Sequence, residues 1–273
     1  MTTSDWRGLA EEIRRAATPT GRAQSGFYSI EGVRLHERAL RAGVGVERVL
    51  VSAEFLSDPS PRIQALLRSL AEHGCRLVAA PPSALTALTA GRGLGDILGL
   101  VRLPSPPVGE IWPASPGRQP PVWLAAVDVE DPGNVGALVR TGHASGINGF
   151  IAVGVSDPFH PRAVRTSMGS LFKTVVWEVD SAETLLPLLA AHSLTGVAAT
   201  VTAGEWLPEM TWPAGGVAIL MGNEAWGLPP ALLAQAHRQV RIPMAEGVDS
   251  FSVNAAAAIV LYELQRARGW GRM

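Results

Sequence analysis

The feature that most constrains this chain is an alternation, downstream of residue 121, between short apolar runs and segments with helical spacing. A strand buried on both faces of a parallel sheet reads as a continuous apolar run, and a helix usually carries the chain to the next strand. The apolar runs are VWLAAVDV, GFIAVG, TVVWEV, GVAAT and GVAILMG. The segments with helical spacing are NVGALVRTGHASG, AETLLPLLAAHS and SVNAAAAIVLYELQRARG. The pattern predicts an α/β domain with a mostly parallel sheet and helices on both faces.

A proline-rich stretch divides the chain near its middle. Residues 103–121 read LPSPPVGEIWPASPGRQPP. Repeated prolines remove backbone donors and favour extended conformations, so neither a helix nor a central strand continues through them. We predict an interdomain linker at 104–121, between a small α/β domain at 1–103 and the parallel-sheet domain at 122–273. Residues 1–23 are expected to form a helical or flexible lead into the first domain.

Composition narrows the class of protein. With 47% hydrophobic and 17% charged residues, the chain is too apolar to be disordered. A single cysteine, Cys75, excludes an internal disulfide, and the histidines do not cluster at zinc spacing, so we expect no metal site. No stretch predicts a membrane span or a signal peptide, which favours the cytoplasm. Residues 1–118 carry 14 arginines against 11 acidic residues, a mild excess that suits contact with phosphates.

Three loops follow predicted strands at the edge where open α/β sheets bind ligands. The first, residues 128–134, ends at Asn134, which we expect to cap the helix that carries Arg140. The second, residues 221–227, reads MGNEAWG and places the Glu224 carboxylate at a strand end. The third, residues 242–252, reads IPMAEGVDSFS, and Ser250 is the expected cap of the last helix. Taken singly, each loop also admits a purely structural interpretation as a turn or a helix cap.

Four motifs in succession resemble those of a known family. They read DPGNVGALVRTG, RTSMGSLF, ILMGNEAWGLP and RIPMAEGVDSFSVNAAAAIVLYE. In this order and spacing they resemble the motifs of the SpoU/TrmH family of RNA 2′-O-methyltransferases, over essentially all of residues 122–268. The upstream segment GFYSIEGVRLHERALRAGVGVERVLVS resembles the substrate-binding domain that many members carry, which is related to a ribosomal-protein and kink-turn-binding fold.

The resemblance implies a fold and a cofactor. Members bind S-adenosylmethionine in a trefoil knot, where three loops hold the cofactor mainly through main-chain groups. Carried over by motif position, the contacts fall at Gly222, Ile242 and Phe251. Further residues expected in the wall of the cofactor site are Leu220, Met221 and Met244.

The resemblance also assigns roles in catalysis. The position of Arg140 is the one that activates the ribose hydroxyl in the family, and it could equally orient a phosphate and stabilise the developing alkoxide. Asn134 and Glu224 are expected to fix Arg140 and the nucleotide in place, while Ser250 closes the site beside the cofactor.

The third motif departs from the family pattern. It usually reads Ser-Leu-Asn, whereas this chain has a serine at Ser252 and an asparagine two positions later, at Asn254. Either Ser252 substitutes for the missing amide, or Asn254 turns into the site. Residues two apart on a helix point about 200° away from each other, so the second alternative is expected to require a local distortion.

The partners follow from the resemblance. An N-terminal RNA-binding domain favours ribosomal RNA of the large subunit as the substrate, and a methyltransferase that protects ribosomes from an antibiotic would have the same architecture. Members normally dimerise through the knotted domain, so we expect a homodimer. Two alternatives stay open: a non-catalytic RNA- or ribosome-binding protein that keeps the knotted scaffold, and a tRNA 2′-O-methyltransferase.

Overall fold

The computed structural model describes residues 6–89, 96–105 and 119–269, which form two compact units. The first unit comprises Met1–Pro104 and Phe159–Lys173, and the second comprises Ser105–Pro158 and Thr174–Met273. The segment with the RTSMGSLF motif thus packs with the first unit, whereas sequence alone groups it with 122–273. Most of the expected linker at 104–121 lies outside the described residues.

Strands and helices alternate along most of the chain. The strands are β1 (Phe27–Glu31), β2 (Val46–Ser52), β3 (Arg76–Ala80), β4 (Ile97–Arg102), β5 (Val122–Val127), β6 (Gly149–Val153), β7 (Val175–Val179), β8 (Leu194–Thr200), β9 (Glu205–Trp206), β10 (Gly216–Met221) and β11 (Arg238–Arg241). The helices are α1 (Trp6–Ala16), α2 (Pro19–Ser25), α3 (Val33–Arg41), α4 (Ala53–Leu56), α5 (Pro61–Glu72), α6 (Pro82–Leu88), α7 (Pro132–Ala144), α8 (Pro161–Thr166), α9 (Ala182–Ala191), α10 (Pro230–Gln235) and α11 (Val253–Ala267). In the described ranges, no helix is long and apolar enough to cross a membrane.

The first unit is a four-stranded sheet with helices packed on it. Its strand order is β1-β4-β2-β3, in which β4 is antiparallel to both β1 and β2, and β2 is parallel to β3. An apolar cluster joins α1 and α6 to the sheet through Leu9, Ile13, Leu50 and Leu85. Burial of such side chains supplies the main stabilisation of the unit, at roughly 1.5–3 kcal/mol for each large one.

Contacts of Phe159 and Arg165 hold the segment Phe159–Lys173 on β1. The ring of Phe159, which precedes α8, lies 5.1 Å from that of Tyr28. On α8, the Arg165 guanidinium pairs with the Glu31 carboxylate, whose side chain is only 7% exposed. Because a largely buried carboxylate needs a charged partner, this ion pair ties α8 firmly to the first sheet.

The second unit is a seven-stranded parallel sheet. Its strand order is β7-β6-β5-β10-β8-β11-β9, and every neighbouring pair is parallel. All residues of β5, β6 and β10 are buried, as expected for central strands with both faces covered. Helices α9 and α10 pack together, and α9 covers β8, while α11 packs on α7 and β10. The predicted fold class, an α/β protein with a mostly parallel sheet, is therefore confirmed.

The strand order brings the predicted loops together. Strand β10 lies between β5 and β8, although the 88 residues 128–215 separate it from β5 in sequence. Because parallel strands all end at the same edge, the loops after β5, β8, β10 and β11 converge there.

Candidate active site

A cavity of about 520 Å³ opens at the carboxyl edge of the second sheet. Its walls come from the loops after β8, β10 and β11 together with the start of α11. Most residues predicted from the motifs line it: Asn134, Met221, Gly222, Glu224, Ile242, Met244, Ser250, Phe251 and Ser252. A volume of this size accommodates a nucleoside-sized ligand.

Two predicted residues do not line this cavity. Leu220 is fully buried and belongs to the apolar core of the second unit. Arg140 lies on the exposed side of α7, where its guanidinium makes no hydrogen bond or ion pair with any described residue. The pairing of Arg140 with a neighbouring carboxylate, which a surface arginine often makes, is therefore absent from the described part of the chain.

The loop after β10 is a tight turn built around Asn223. The main chains of Asn223 and Gly227 exchange two hydrogen bonds of 3.0 Å. The Asn223 Oδ1 accepts from the amides of Ala225 at 2.8 Å and Trp226 at 3.2 Å. Its Nδ2 donates to the Asp128 carbonyl at 2.9 Å, which fastens the turn to the loop after β5. Sequence reasoning missed Asn223, although asparagine beside glycine is a recognised turn signal.

Gly222 is required by close packing inside the same turn. A Cβ atom at this position would lie 2.3 Å from the carbonyl carbon of Gly227 and 2.4 Å from the amide nitrogen of Leu228. Gly227 itself has a φ of +71°, in the left-handed region that favours glycine. The two glycines thus let the main chain fold tightly at the wall of the cavity.

Helix α7 is capped by Asp131, and the prediction that Asn134 caps it is wrong. The Asp131 Oδ1 accepts from the Asn134 amide at 3.0 Å, and Pro132 occupies the first turn, where no amide donor is needed. Since Asp131 satisfies the helix end, the side chain of Asn134 is available for another contact. Its Nδ2 donates to the Glu224 Oε1 at 2.8 Å.

Asn254 joins this pair from the first turn of α11. Its Nδ2 donates to the Asn134 Oδ1 at 3.0 Å. The expectation that Asn254 would need a distorted helix to reach the site is wrong, because α11 is a regular helix from Val253 onwards. The packing of α11 on α7 brings the two first turns together, and a helical side chain leans toward the N-terminus of its own helix.

The last helix begins at Ser252. The Ser252 Oγ accepts from the Ala255 amide at 3.3 Å, so Ser252 is the cap of α11 and the prediction of Ser250 for this role is wrong. Ser250 is exposed and lines the cavity.

The wall of the cavity has both apolar and polar side chains. The apolar ones include Met221, Ile242, Met244 and Phe251, and the polar ones include Asn134 and Glu224. Trp226 stands at the cavity wall with 81% of its surface exposed. No group of three or more histidine, cysteine or acidic side chains in the described residues could hold a metal ion.

Comparison with known proteins places this arrangement in a family. The sequence model of the SpoU rRNA Methylase family matches residues 121–262. The 23S rRNA (guanosine(2553)-2'-O)-methyltransferase RlmP of Bacillus subtilis is 26% identical over 265 residues, which are 96% of this chain and 94% of that protein. A 23S rRNA (uridine(2479)-2'-O)-methyltransferase of Streptomyces viridochromogenes is 26% identical over 259 residues, covering 92% of this chain and 86% of that protein.

A solved structure extends the similarity to the fold of nearly the whole chain. The SpoU methyltransferase AviRb of Streptomyces viridochromogenes, crystallised in complex with the cofactor AdoMet, has a TM-score of 0.84 and 25% identity to this chain. The match covers 97% of this chain and 99% of AviRb. Because the family model matches more than half of its residues, this chain belongs to the SpoU rRNA methylase family.

Proposed function

We propose that the protein transfers a methyl group from S-adenosylmethionine to a ribose 2′-hydroxyl of large-subunit ribosomal RNA. The observation that carries the proposal is the cavity at the carboxyl edge of the second sheet, whose wall includes apolar side chains together with the hydrogen-bonded pair of Asn134 and Glu224. The 23S rRNA activities of the relatives in Bacillus subtilis and Streptomyces viridochromogenes support this substrate class.

The residues of the cavity fit S-adenosylmethionine. The bound cofactor supplies an electrophilic methyl group. Met221, Ile242, Met244 and Phe251 offer apolar surface, and the tight turn at Gly222 brings main-chain groups to the wall. We further propose that the loops around this cavity are threaded as the trefoil knot that the family resemblance implies. Leu220 then supports this wall from the core behind it.

In this proposal one side chain binds the RNA phosphate, and others orient the nucleotide and border the cofactor. Arginine is a poor general base because it is effectively always protonated. We propose that Arg140, which is exposed and without a partner among the described residues, binds the phosphate next to the target ribose and stabilises the developing alkoxide. Glu224 and Asn134 orient the nucleotide, and Ser250 and Ser252 border the cofactor.

We also propose a function for each part of the chain and a homodimeric assembly. Residues 1–103 bind the RNA, residues 104–121 link the domains and residues 122–273 carry out methyl transfer. The protein forms a homodimer through the second domain and acts in the cytoplasm, where ribosomes are assembled.

Label transfer tests this function. Tritiated S-adenosylmethionine is incubated with the protein and with ribosomal RNA from a strain that lacks the gene. We expect incorporation by the wild type, and a loss of about 100-fold or more in Arg140→Ala, in line with the removal of one group that stabilises transition-state charge. Gln265→Ala serves as the control, because Gln265 lies on α11 outside the cavity lining and, among the described residues, donates to the Ser145 carbonyl alone.

Each other outcome has a definite meaning. Cofactor binding without transfer to any ribosomal or transfer RNA would contradict the enzyme and support a non-catalytic RNA-binding protein. Transfer to transfer RNA alone would contradict the substrate class. An unchanged rate in Arg140→Ala would contradict the role of Arg140 and leave the activity itself intact.

A further inference from the structure

Two side chains of the cavity wall, Glu224 and Asn134, form a chain of hydrogen bonds with Asn254 behind them. Asn254 donates to Asn134 over 3.0 Å, and Asn134 donates to Glu224 over 2.8 Å. The second carboxylate oxygen of Glu224 accepts from the Glu130 amide at 3.3 Å. The Glu224 side chain is thus held from both the α7 side and the loop after β5.

The carboxylate determines the orientation of both amides. An ionised carboxylate only accepts hydrogen bonds, so Asn134 must turn its Nδ2 toward Glu224. Its Oδ1 then faces Asn254, which must present its own Nδ2 as the donor. The order of donors therefore follows from the chemistry of the carboxylate.

Ser252 is engaged elsewhere. Its Oγ caps α11 through the Ala255 amide, and it makes no hydrogen bond to Asn134 or Glu224 in the described structure. The Oδ1 atom of Asn254 is buried and has no hydrogen-bond partner among the described residues. An unpaired buried oxygen costs free energy, so the favourable contact of this amide is the one that its Nδ2 makes.

We propose that Asn254 is a positioning residue of the methyl-transfer site, which acts through Asn134 on Glu224. It takes over the role that the family pattern gives to an asparagine at residue 252, while Ser252 acts as the helix cap. This inference rests on the proposed function, because it concerns the same reaction. Asn254 itself touches neither the cofactor cavity nor the carboxylate.

The test compares Asn254→Asp with wild type. An ionised aspartate has the shape of asparagine and no donor, so the Asn134 amide loses the hydrogen bond that fixes its direction. We expect kcat to fall about tenfold, the effect of one hydrogen bond, with KM for S-adenosylmethionine and for RNA within about twofold of wild type. The matched control is Gln265→Glu, which makes the same amide-to-acid change on α11 at a contact with the Ser145 carbonyl. It should lower thermal stability and leave kcat unchanged.

A double-mutant cycle separates positioning from a general loss of structure. Because Asn254 acts only through Asn134, Asn134→Ala with Asn254→Ala should be no slower than Asn134→Ala alone. Losses that multiply in the double variant would overturn the inference. An unchanged kcat in Asn254→Asp would overturn it as well.

A second readout needs no turnover. In ¹H–¹⁵N spectra, the side-chain amide signals of Asn134 should shift in Asn254→Asp and stay in place in Gln265→Glu. Unmoved Asn134 signals would overturn the proposed action of Asn254 through Asn134, whether or not the variant is active. A wild-type protein with no methyl transfer, but with shifted Asn134 signals, would contradict the proposed function and leave the contact between the two amides established.

Discussion

At the scale of single residues, the site depends on glycines and amides that shape main chain beside the cavity. Gly222 permits the main chain of the turn to approach Gly227 within the space that a Cβ would occupy. Asn223 then fixes the same turn with both ends of its amide. Neither residue needs to react with a substrate, yet both place the groups that line the cavity.

We expect Gly222→Ala to reduce the affinity for S-adenosylmethionine by about tenfold or more. The added methyl group would lie 2.3–2.5 Å from backbone atoms of Gly227 and Leu228, and such overpacking usually costs about 1–3 kcal/mol. Isothermal titration calorimetry measures the change. Gly215→Ala is the control, because its methyl group would meet no atom within 4 Å. Equal affinity in Gly222→Ala and wild type would contradict this account of the turn.

At the scale of elements, α3 places an unusual histidine against the first sheet. His36 is fully buried, and its Nδ1 donates to the Gly32 carbonyl at 2.8 Å. Its Nε2 has no hydrogen-bond partner in the described residues and occupies the space beside Gly99 of β4. Burial lowers the pKa of the imidazole to about 4, although the hydrogen bond to Gly32 opposes the shift.

The lowered pKa of His36 predicts that the stability of the fold depends on pH. Between the ordinary pKa of 6.5 and the native value of about 4, the unfolded state binds a proton that the folded state does not. The free energy of unfolding therefore falls as the pH falls through this window, by about 3 kcal/mol in total. Hydrogen exchange of the amides of β2 and β4, followed as a function of pH, measures this fall in the free energy of unfolding.

A pair of variants isolates the effect. His36→Gln should lose this part of the pH dependence. His73→Gln should retain it, because His73 makes the same type of contact, at 2.7 Å to the Ser69 carbonyl, while exposed. Identical pH profiles for His36→Gln and wild type would rule out His36 as the cause.

Elements with strong apolar patterning could be predicted from the sequence, and polar ones could not. The apolar runs of β5, β6 and β10 are strands, as predicted, and so are those of β7 and β8. Strand β11 was not predicted because its sequence, RQVR, is polar. Both arginines contact β9: the Arg238 guanidinium pairs with Glu205, and that of Arg241 lies 3.7 Å from the centre of the Trp206 ring.

The sequence predicts most residues of the candidate site, but it does not predict the contacts between them. Motif spacing identifies the loops that line the cavity, because each follows an apolar strand. It does not identify Asp131 as the cap of α7 or the contact between Asn254 and Asn134. The latter joins residues 120 positions apart, and it depends on how α11 packs against α7.

At the scale of the whole molecule, strand order creates the site. Insertion of β10 between β5 and β8 brings loops from distant parts of the sequence to one edge of the second unit. The first unit has its own four-stranded sheet and also contains the helical segment Phe159–Lys173. We propose that these functions are divided, with RNA binding in the first domain and methyl transfer in the second.

The central claim is that the methyl group goes to a ribose oxygen, and alkaline hydrolysis of labelled ribosomal RNA tests it most directly. Alkali cleaves RNA through attack by the 2′-hydroxyl, so a 2′-O-methylated nucleotide stays joined to its 3′ neighbour. The account predicts that the tritium from S-adenosylmethionine is recovered in one alkali-resistant dinucleotide from the large-subunit RNA. Recovery of the label in mononucleotides would show methylation of a base and contradict the account.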